Sequence, residues 1–196
     1  MTALAPLLFF VAASTLSPGG ATALAIASGA RFGLIGSLPL IAGIALALMT
    51  IAALSALGLG ELIAAEPVLE LIVKLVGSAY LLWLGWVIAH SGAPAPRTDI
   101  TQPLRMPQAM LLLFLNPKSW AMAVSAAATF SSLSTSPYGL AALLGISFGI
   151  AACLSLTLWC CAGMLLSRLL RTPKHWRRFN LSMATLLILS IIPTWI

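Results

Sequence analysis

Asparagine, proline and lysine occupy adjacent positions in the middle of one apolar run, where they could bind a charged solute. Asn116, Pro117 and Lys118 lie within residues 106–130, a run long enough to cross a bilayer. Because proline removes a backbone hydrogen bond and clashes with the preceding turn, it interrupts a helix. A lysine at this depth costs about 2.5–3.5 kcal/mol on the insertion scale. The ammonium group of Lys118 has three candidate roles: holding a substrate carboxylate, carrying a proton, or binding carbonyls freed by the break.

A second interruption lies at the matching depth of the first apolar run, at Ser17, Pro18 and Gly19. Lipid cannot satisfy the backbone groups that a broken helix exposes, so such breaks are tolerated around a buried or watery cavity. Proline-interrupted segments in corresponding positions of two halves are typical of a transporter's central site. For each proline taken alone, a bent packing helix is the alternative. The predicted substrate-binding residues are Ser17, Pro18, Gly19, Asn116, Pro117 and Lys118, with Thr15, Thr22 and Ser119 as further hydrogen-bonding candidates.

Composition assigns the chain to the integral membrane proteins. It has 196 residues, of which 61% are hydrophobic and 7% are charged, whereas a soluble domain has about 25% charged residues. Too few charges are present to cover a soluble surface. The expected partner is the lipid bilayer, and the net charge of +6 is not interpreted as a sign of nucleic-acid binding.

Six apolar runs position these residues, and they suggest an internal symmetry. The runs are approximately 4–30, 37–59, 68–88, 106–130, 138–166 and 179–196. Each half contains an odd number of spans, so two repeated halves must have opposite orientations in the membrane. We predict an all-α integral membrane protein, with six transmembrane helices as two inverted three-helix repeats and proline-broken helices one and four. It forms a single transmembrane domain, 1–196, with repeat 1 at about 4–89, a proline-rich cytoplasmic linker at about 90–107, and repeat 2 at about 108–196.

The distribution of basic residues predicts the orientation. The loops after spans one, three and five contain eight of the ten basic residues, whereas the loop after span two contains Glu61 and Glu66. By the positive-inside rule, the basic loops are cytoplasmic and both termini are outside. The basic stretch 168–178 is assigned to a loop before the last span.

Other reactive residues have structural explanations. Cys153, Cys160 and Cys161 share one run, without CxxC spacing or a cysteine in any loop, so they are expected to be small packing residues. Gly145 and Gly149 form a G-x-x-x-G pattern that allows close helix packing. No Ser/His/Asp, HExxH or phosphate-loop pattern occurs. The sequence therefore predicts neither an enzyme nor a metal site, and no cofactor.

The motifs resemble those of the amino-acid exporter superfamily named after the lysine exporter, the LysE/RhtB type. Ser17-Pro18-Gly19 stands where the family usually has Pro-Gly-Pro, and Leu115-Asn116-Pro117-Lys118 resembles its L-N-P-K. Residues 74–85 are close to its K-x-x-G-x-x-Y-L-x-x-L-G. The resemblance implies a bacterial inner-membrane carrier that exports amino acids or related metabolites, is driven by the proton gradient and is a homo-oligomer, with a dimer as one option.

Two departures from the family pattern bear on mechanism. Gly20 replaces the second proline of the first motif, and residues 43–49 lack the acidic residue that many relatives have in span two. Glu70 and Lys74, which can pair at i,i+4 on one helix face, are the remaining candidates for coupling or gating. Lys74 could instead extend outward to the membrane surface. Without a deep carboxylate, a neutral amino acid or small amino-acid-like metabolite is favoured over a dibasic substrate.

Two alternatives belong to other functional classes. Thiol or electron carriers share the superfamily's proline-broken inverted halves, by resemblance, but need one cysteine in each broken helix, and spans one and four have none. A non-transporting membrane scaffold predicts that Lys118→Ala leaves amino-acid efflux unchanged.

Overall fold

The structure is a computed structural model that describes residues 4–17, 19–59, 67–90, 103–169, 172–189 and 191–192. Over these residues the chain forms α-helices and one short 3₁₀ turn, and no β-strand occurs among them. The helices are α1 (Leu4–Leu16), α2 (Gly20–Ala56), α3 (Pro67–Ala89), α4 (Met106–Phe114), α5 (Pro117–Thr129), α6 (Pro137–Ser167) and α7 (Pro173–Leu189), with the 3₁₀ turn at Ser131–Leu133.

Helices are the expected solution for such apolar segments, because a helix satisfies its backbone groups internally. Among the described residues, α2 and α6 are each long and apolar enough to cross a membrane, and α4 with α5 makes a third crossing if the bent pair is one span. The predicted all-α membrane class is confirmed at this level.

Both predicted helix interruptions are present. Helix α1 ends at Leu16 and α2 begins at Gly20, on either side of the first proline motif. Helix α4 ends at Phe114 and α5 begins at Pro117, and the two axes are bent by 67°. Proline is well suited to the first helical position of α5, since its missing N–H has no partner in the first turn of any helix.

Helix α2 is itself divided at Gly33, whose φ of 69° and ψ of −174° are accessible essentially only to glycine. The hydroxyl oxygens of Ser28 and Ser37 are 2.7 Å apart, although nine residues of continuous helix would separate them by about 13.5 Å. The chain therefore bends sharply at Gly33. The resulting segments, 20–32 and 34–56, correspond to the end of the first apolar run and to the second run.

The core lies where α6 packs along α2, and glycines allow the two backbones to approach. A Cβ added to Gly163 would meet the carbonyl of Ile26, and one added to Gly145 would lie 3.0 Å from the carbonyl oxygen of Met49. The packing role predicted for the G-x-x-x-G pattern is thus confirmed. Cys160 is buried in this interface, as expected of a packing residue, whereas Cys153 is exposed, so that prediction was wrong for Cys153.

Helix α7 begins earlier than the sequence predicts. The predicted loop at 168–178 is corrected from residue 173 onward, because the helix predicted to begin at 179 already begins at Pro173 and is described as far as Leu189. Residues 190 and 193–196 of the predicted span lie outside the described residues. Trp176, Phe179 and Met183 recur at helical spacing and pack against the first segment of α2. This apolar face continues the helix through the charged residues, so a run of charges was a poor boundary signal. The cations now placed in α7 are Lys174, Arg177 and Arg178.

Candidate substrate site

A cavity of about 60 Å³ lies between the two helix breaks. Residues at the two breaks, from the end of α1 and the first turns of α2 and α5, make up the part of the lining that we call the polar side. Apolar side chains farther along α2, α4, α5 and α6 make up the part that we call the apolar side. The residues of the polar side are Ser14, Thr15, Ser17, Gly19, Gly20, Ala21, Thr22, Asn116, Lys118 and Ser119, and those of the apolar side are Ile44, Leu48, Leu113, Met122, Ala152 and Leu156.

Side chains satisfy the carbonyls that the first break leaves without helical partners. The carbonyl of Ser14 would pair with residue 18 in a continuous helix, but a proline has no N–H, and the hydroxyl of Ser17 donates to that carbonyl at 2.8 Å instead. The next carbonyl, that of Thr15, accepts from the hydroxyl of Ser155 at 2.8 Å. Ser155 is buried and belongs to α6, so this bond ties the break to a different helix.

The first turn of α2 is open towards the cavity. The N–H of Gly19 donates to Thr22 Oγ1 at 2.7 Å, and the Thr22 hydroxyl donates back to the Gly19 carbonyl at 2.8 Å. Gly19 is the N-cap and has no side chain to cover the N–H groups of the first turn. A Cβ at Gly19 would lie 3.2 Å from Lys118 Nζ, so glycine leaves room for the ammonium group. A helix N-terminus of this kind attracts anions.

The second break is held by its own residues. Asn116 Oδ1 accepts from the Lys118 N–H at 3.0 Å, and the Asn116 carbonyl accepts from the Ser119 N–H at 3.0 Å. Asparagine is among the strongest N-cap residues, which explains why α5 begins here. The carbonyl of Phe114, which would pair with the Lys118 N–H in a continuous helix, accepts from Trp120 Nε1 at 2.8 Å.

Lys118 joins the two breaks. Its Nζ donates to Ser17 Oγ at 3.1 Å, although the two residues are 101 positions apart in the chain. The Ser17 hydroxyl thus donates its one proton to the Ser14 carbonyl and uses one of its acceptor sites for the Lys118 ammonium group. The arrangement places one cation and the positive end of the α2 helix on the same cavity.

Four of the predicted binding residues line this one cavity: Ser17, Gly19, Asn116 and Lys118. Pro117 is half-buried at the first position of α5. Pro18 lies outside the described residues. Glu70 and Lys74 belong to α3, but their side chains lie outside the described part of the structure.

Sequence reasoning missed the contribution of α6. Ala152 and Leu156 line the cavity, and Ser155 supports the first break. The only available signal was a serine within an apolar run, which is too common to single out. The three cysteines also lie in α6, away from either break, so the chain offers no thiol at the positions that a thiol carrier would need.

Comparison with known proteins identifies the family. The model of the LysE type translocator matches residues 12–190. A cysteine/O-acetylserine efflux protein of Klebsiella pneumoniae subsp. pneumoniae is 29% identical over 190 residues, covering 95% of this chain and 94% of the relative. One of Salmonella choleraesuis with the same description is 27% identical over 175 residues, covering 89% and 88%.

A further relative, an uncharacterized membrane protein of Vibrio cholerae serotype O1, is 32% identical over 109 residues, which is 54% of this chain and about half (53%) of that protein. No solved structure matches. The family match confirms the family that the motifs predict. It also confirms the membrane location and the assignment as a transporter rather than an enzyme. The chain belongs to the LysE type translocator family.

Proposed function

We propose that this protein exports α-amino acids across the bacterial inner membrane and that Lys118 holds the substrate carboxylate. The observation that carries the proposal is the 3.1 Å contact between Lys118 Nζ and Ser17 Oγ, beside a cavity that the first turns of α2 and α5 line. The relatives described as cysteine/O-acetylserine efflux proteins support amino acids as the substrate class.

Of the two helix N-termini at the cavity, that of α2 is the better position for an anion. The α2 N-terminus has a glycine cap, whereas that of α5 is closed by Asn116 Oδ1 and by Pro117. A carboxylate that displaces Ser17 Oγ from Lys118 can also accept from the first-turn N–H groups of α2. Hydrogen bonds to charged groups contribute roughly 1.5–3 kcal/mol each, so Lys118 supplies a large share of substrate affinity.

The charge of the lining favours a substrate with an uncharged side chain. Among the described lining residues Lys118 is the charged one, and none is an aspartate or glutamate. A second ammonium group, as in lysine or arginine, would be left without a counter-ion in a low-dielectric site, which is costly. The transported compound is therefore a neutral amino acid or a small amino-acid-like metabolite.

The proposed architecture has six spans in two inverted repeats, 4–89 and 108–196, with both termini outside the cytoplasm. The interruptions at the start of α2 and of α5 would then be the corresponding elements of the two halves. The proton gradient drives export, and Glu70 with Lys74 on α3 forms the coupling or gating pair. The protein functions as a homo-oligomer.

The test is efflux from vesicles that contain the purified full-length protein and are loaded with single labelled amino acids. Lys118→Met removes the ammonium group but keeps an unbranched side chain that is only one atom shorter. It should raise the half-saturating concentration of a neutral amino acid about tenfold to a hundredfold. Lys174→Met is the matched control, because Lys174 is exposed on α7, and it should leave efflux unchanged.

An amino-acid amide tests the assigned partner. The amide lacks the carboxylate, so its weaker efflux should be the same in the parent and in Lys118→Met. If the variant impairs the acid and the amide equally, Lys118 does not bind the carboxylate. If the parent moves no amino acid in the panel, amino-acid export itself is refuted.

Coupling is tested in the same vesicles. Dissipating an imposed pH gradient with a protonophore should slow uphill export in the parent, whereas Glu70→Gln should export at a rate that no longer depends on the gradient. A parent that is indifferent to the gradient contradicts proton coupling, and a Glu70→Gln variant that behaves as the parent removes Glu70 from the pathway.

A further inference from the structure

The apolar side of the cavity is built from rigid elements. Ile44 and Leu48 are spaced i,i+4 on α2 and so share one face, and Ala152 and Leu156 are spaced likewise on α6. All four are at most 4% exposed, within the main hydrophobic core. Because packed cores resist changes of even one methylene, these side chains give a wall of fixed shape.

Ala152 is the smallest side chain on that wall, and the other alanine that lines the cavity, Ala21, belongs to the first turn of α2 on the polar side. The neighbours of Ala152 along the apolar side are leucine, isoleucine and methionine, so the space in front of Ala152 is where a substrate side chain can fit. The cavity of about 60 Å³ corresponds to roughly four to six water-sized groups at about 10–15 Å³ each. The ammonium, α-carbon and carboxylate of an amino acid fill most of that room.

We propose that Ala152 sets the upper size limit of the exported side chain, an inference that rests on the proposed function. With the carboxylate at Lys118, the substrate side chain points away from the polar side and meets the α6 wall at Ala152. The accepted substrates are α-amino acids with short, uncharged side chains, such as alanine, serine and cysteine. Leucine and larger residues are poor substrates of the parent protein.

Two substitutions at Ala152 should shift selectivity in opposite directions. Ala152→Val adds two methyl groups to the wall and should lower cysteine efflux relative to alanine efflux by about tenfold or more. Ala152→Gly removes a methyl group and should raise leucine efflux relative to alanine efflux. Ratios between substrates are the readout, because a loss of folded protein lowers all rates equally and leaves the ratios unchanged.

Matched variants complete the experiment. Ala142→Val makes the same change at an exposed position of α6 and should not alter any ratio. Leu156→Ala widens the cavity one helical turn from Ala152 and should admit leucine. This variant keeps the test decisive if Ala152→Val does not fold.

The outcomes separate this inference from the proposed function. The size limit at Ala152 is supported if the efflux ratios shift one way in Ala152→Val, which narrows the cavity, and the other way in Ala152→Gly and Leu156→Ala, which widen it. If the parent exports amino acids but Ala152→Gly and Leu156→Ala leave every ratio within twofold of the parent, the size limit lies elsewhere and the inference is overturned. If the parent exports none of the panel, the failure is that of the proposed function.

Discussion

Replacing Ser155 by alanine tests whether α6 supports the first helix break. The Ser155 hydroxyl donates to the Thr15 carbonyl at 2.8 Å, and the residue is 2% exposed. Thr15 needs this donor because the break takes its helical partner away: the Gly19 N–H donates to Thr22 Oγ1. In Ser155→Ala the carbonyl stays in the same surroundings without that donor.

The magnitude follows from the cost of an unsatisfied buried acceptor, about 1–3 kcal/mol. A penalty of this size on the conformation that binds substrate reduces its population by about fivefold to 150-fold. Since apparent affinity falls in proportion to the population of the competent state, the half-saturating concentration should rise by a similar factor. Efflux at saturating substrate should change much less, because bound substrate restores that state.

The assay is concentration-dependent efflux of a neutral amino acid from vesicles. Ser155→Thr keeps a hydroxyl at the same position and should restore most of the affinity. Ser182→Ala is the control, because Ser182 is exposed on α7 and its hydroxyl donates within its own helix, to the Arg178 carbonyl at 3.0 Å. It should leave the half-saturating concentration unchanged.

Two results would refute this reasoning. The first is a Ser155→Ala variant whose half-saturating concentration stays within twofold of the parent. The second is equal impairment by alanine and threonine, since the defect would then come from packing and not from the hydroxyl.

Three further substitutions test the geometry of the fold, with the free energy of unfolding in detergent as the measurement. Trp120→Phe removes the donor to the Phe114 carbonyl and should cost about 1–3 kcal/mol; an unchanged stability would mean that this carbonyl finds another donor. Gly33→Ala adds a Cβ that meets nothing within 4 Å, so its expected loss of about 1–3 kcal/mol comes from the backbone conformation alone, and a fully stable variant would contradict the bend. Gly163→Val brings a side chain against the Ile26 carbonyl and should lower the free energy of unfolding by about 1–3 kcal/mol or more through overpacking. An unchanged stability would rule out the close α2–α6 contact.

Helix ends were predictable where a single residue dictates them. Pro117 removes an N–H and Asn116 supplies a cap, so the start of α5 follows from two adjacent letters of the sequence. The start of α7 did not follow, because its apolar residues are interleaved with cations and the boundary depends on which face finds a partner. Trp176 and Phe179 find one in α2, which extends the helix to Pro173.

The sequence by itself determined the membrane class, the two interruptions and the deep position of the Lys118 cation. These follow from local rules: apolar length, the missing N–H of proline and the cost of a charge in hydrocarbon. Only the tertiary structure decided that Lys118 Nζ meets Ser17 Oγ, that Ser155 supports the Thr15 carbonyl, and that Ala152 forms part of the cavity wall. Those contacts join residues 101 and 140 positions apart. Helix packing brings them together, and the spacing along one helix contains no information about which residue of another helix will face it.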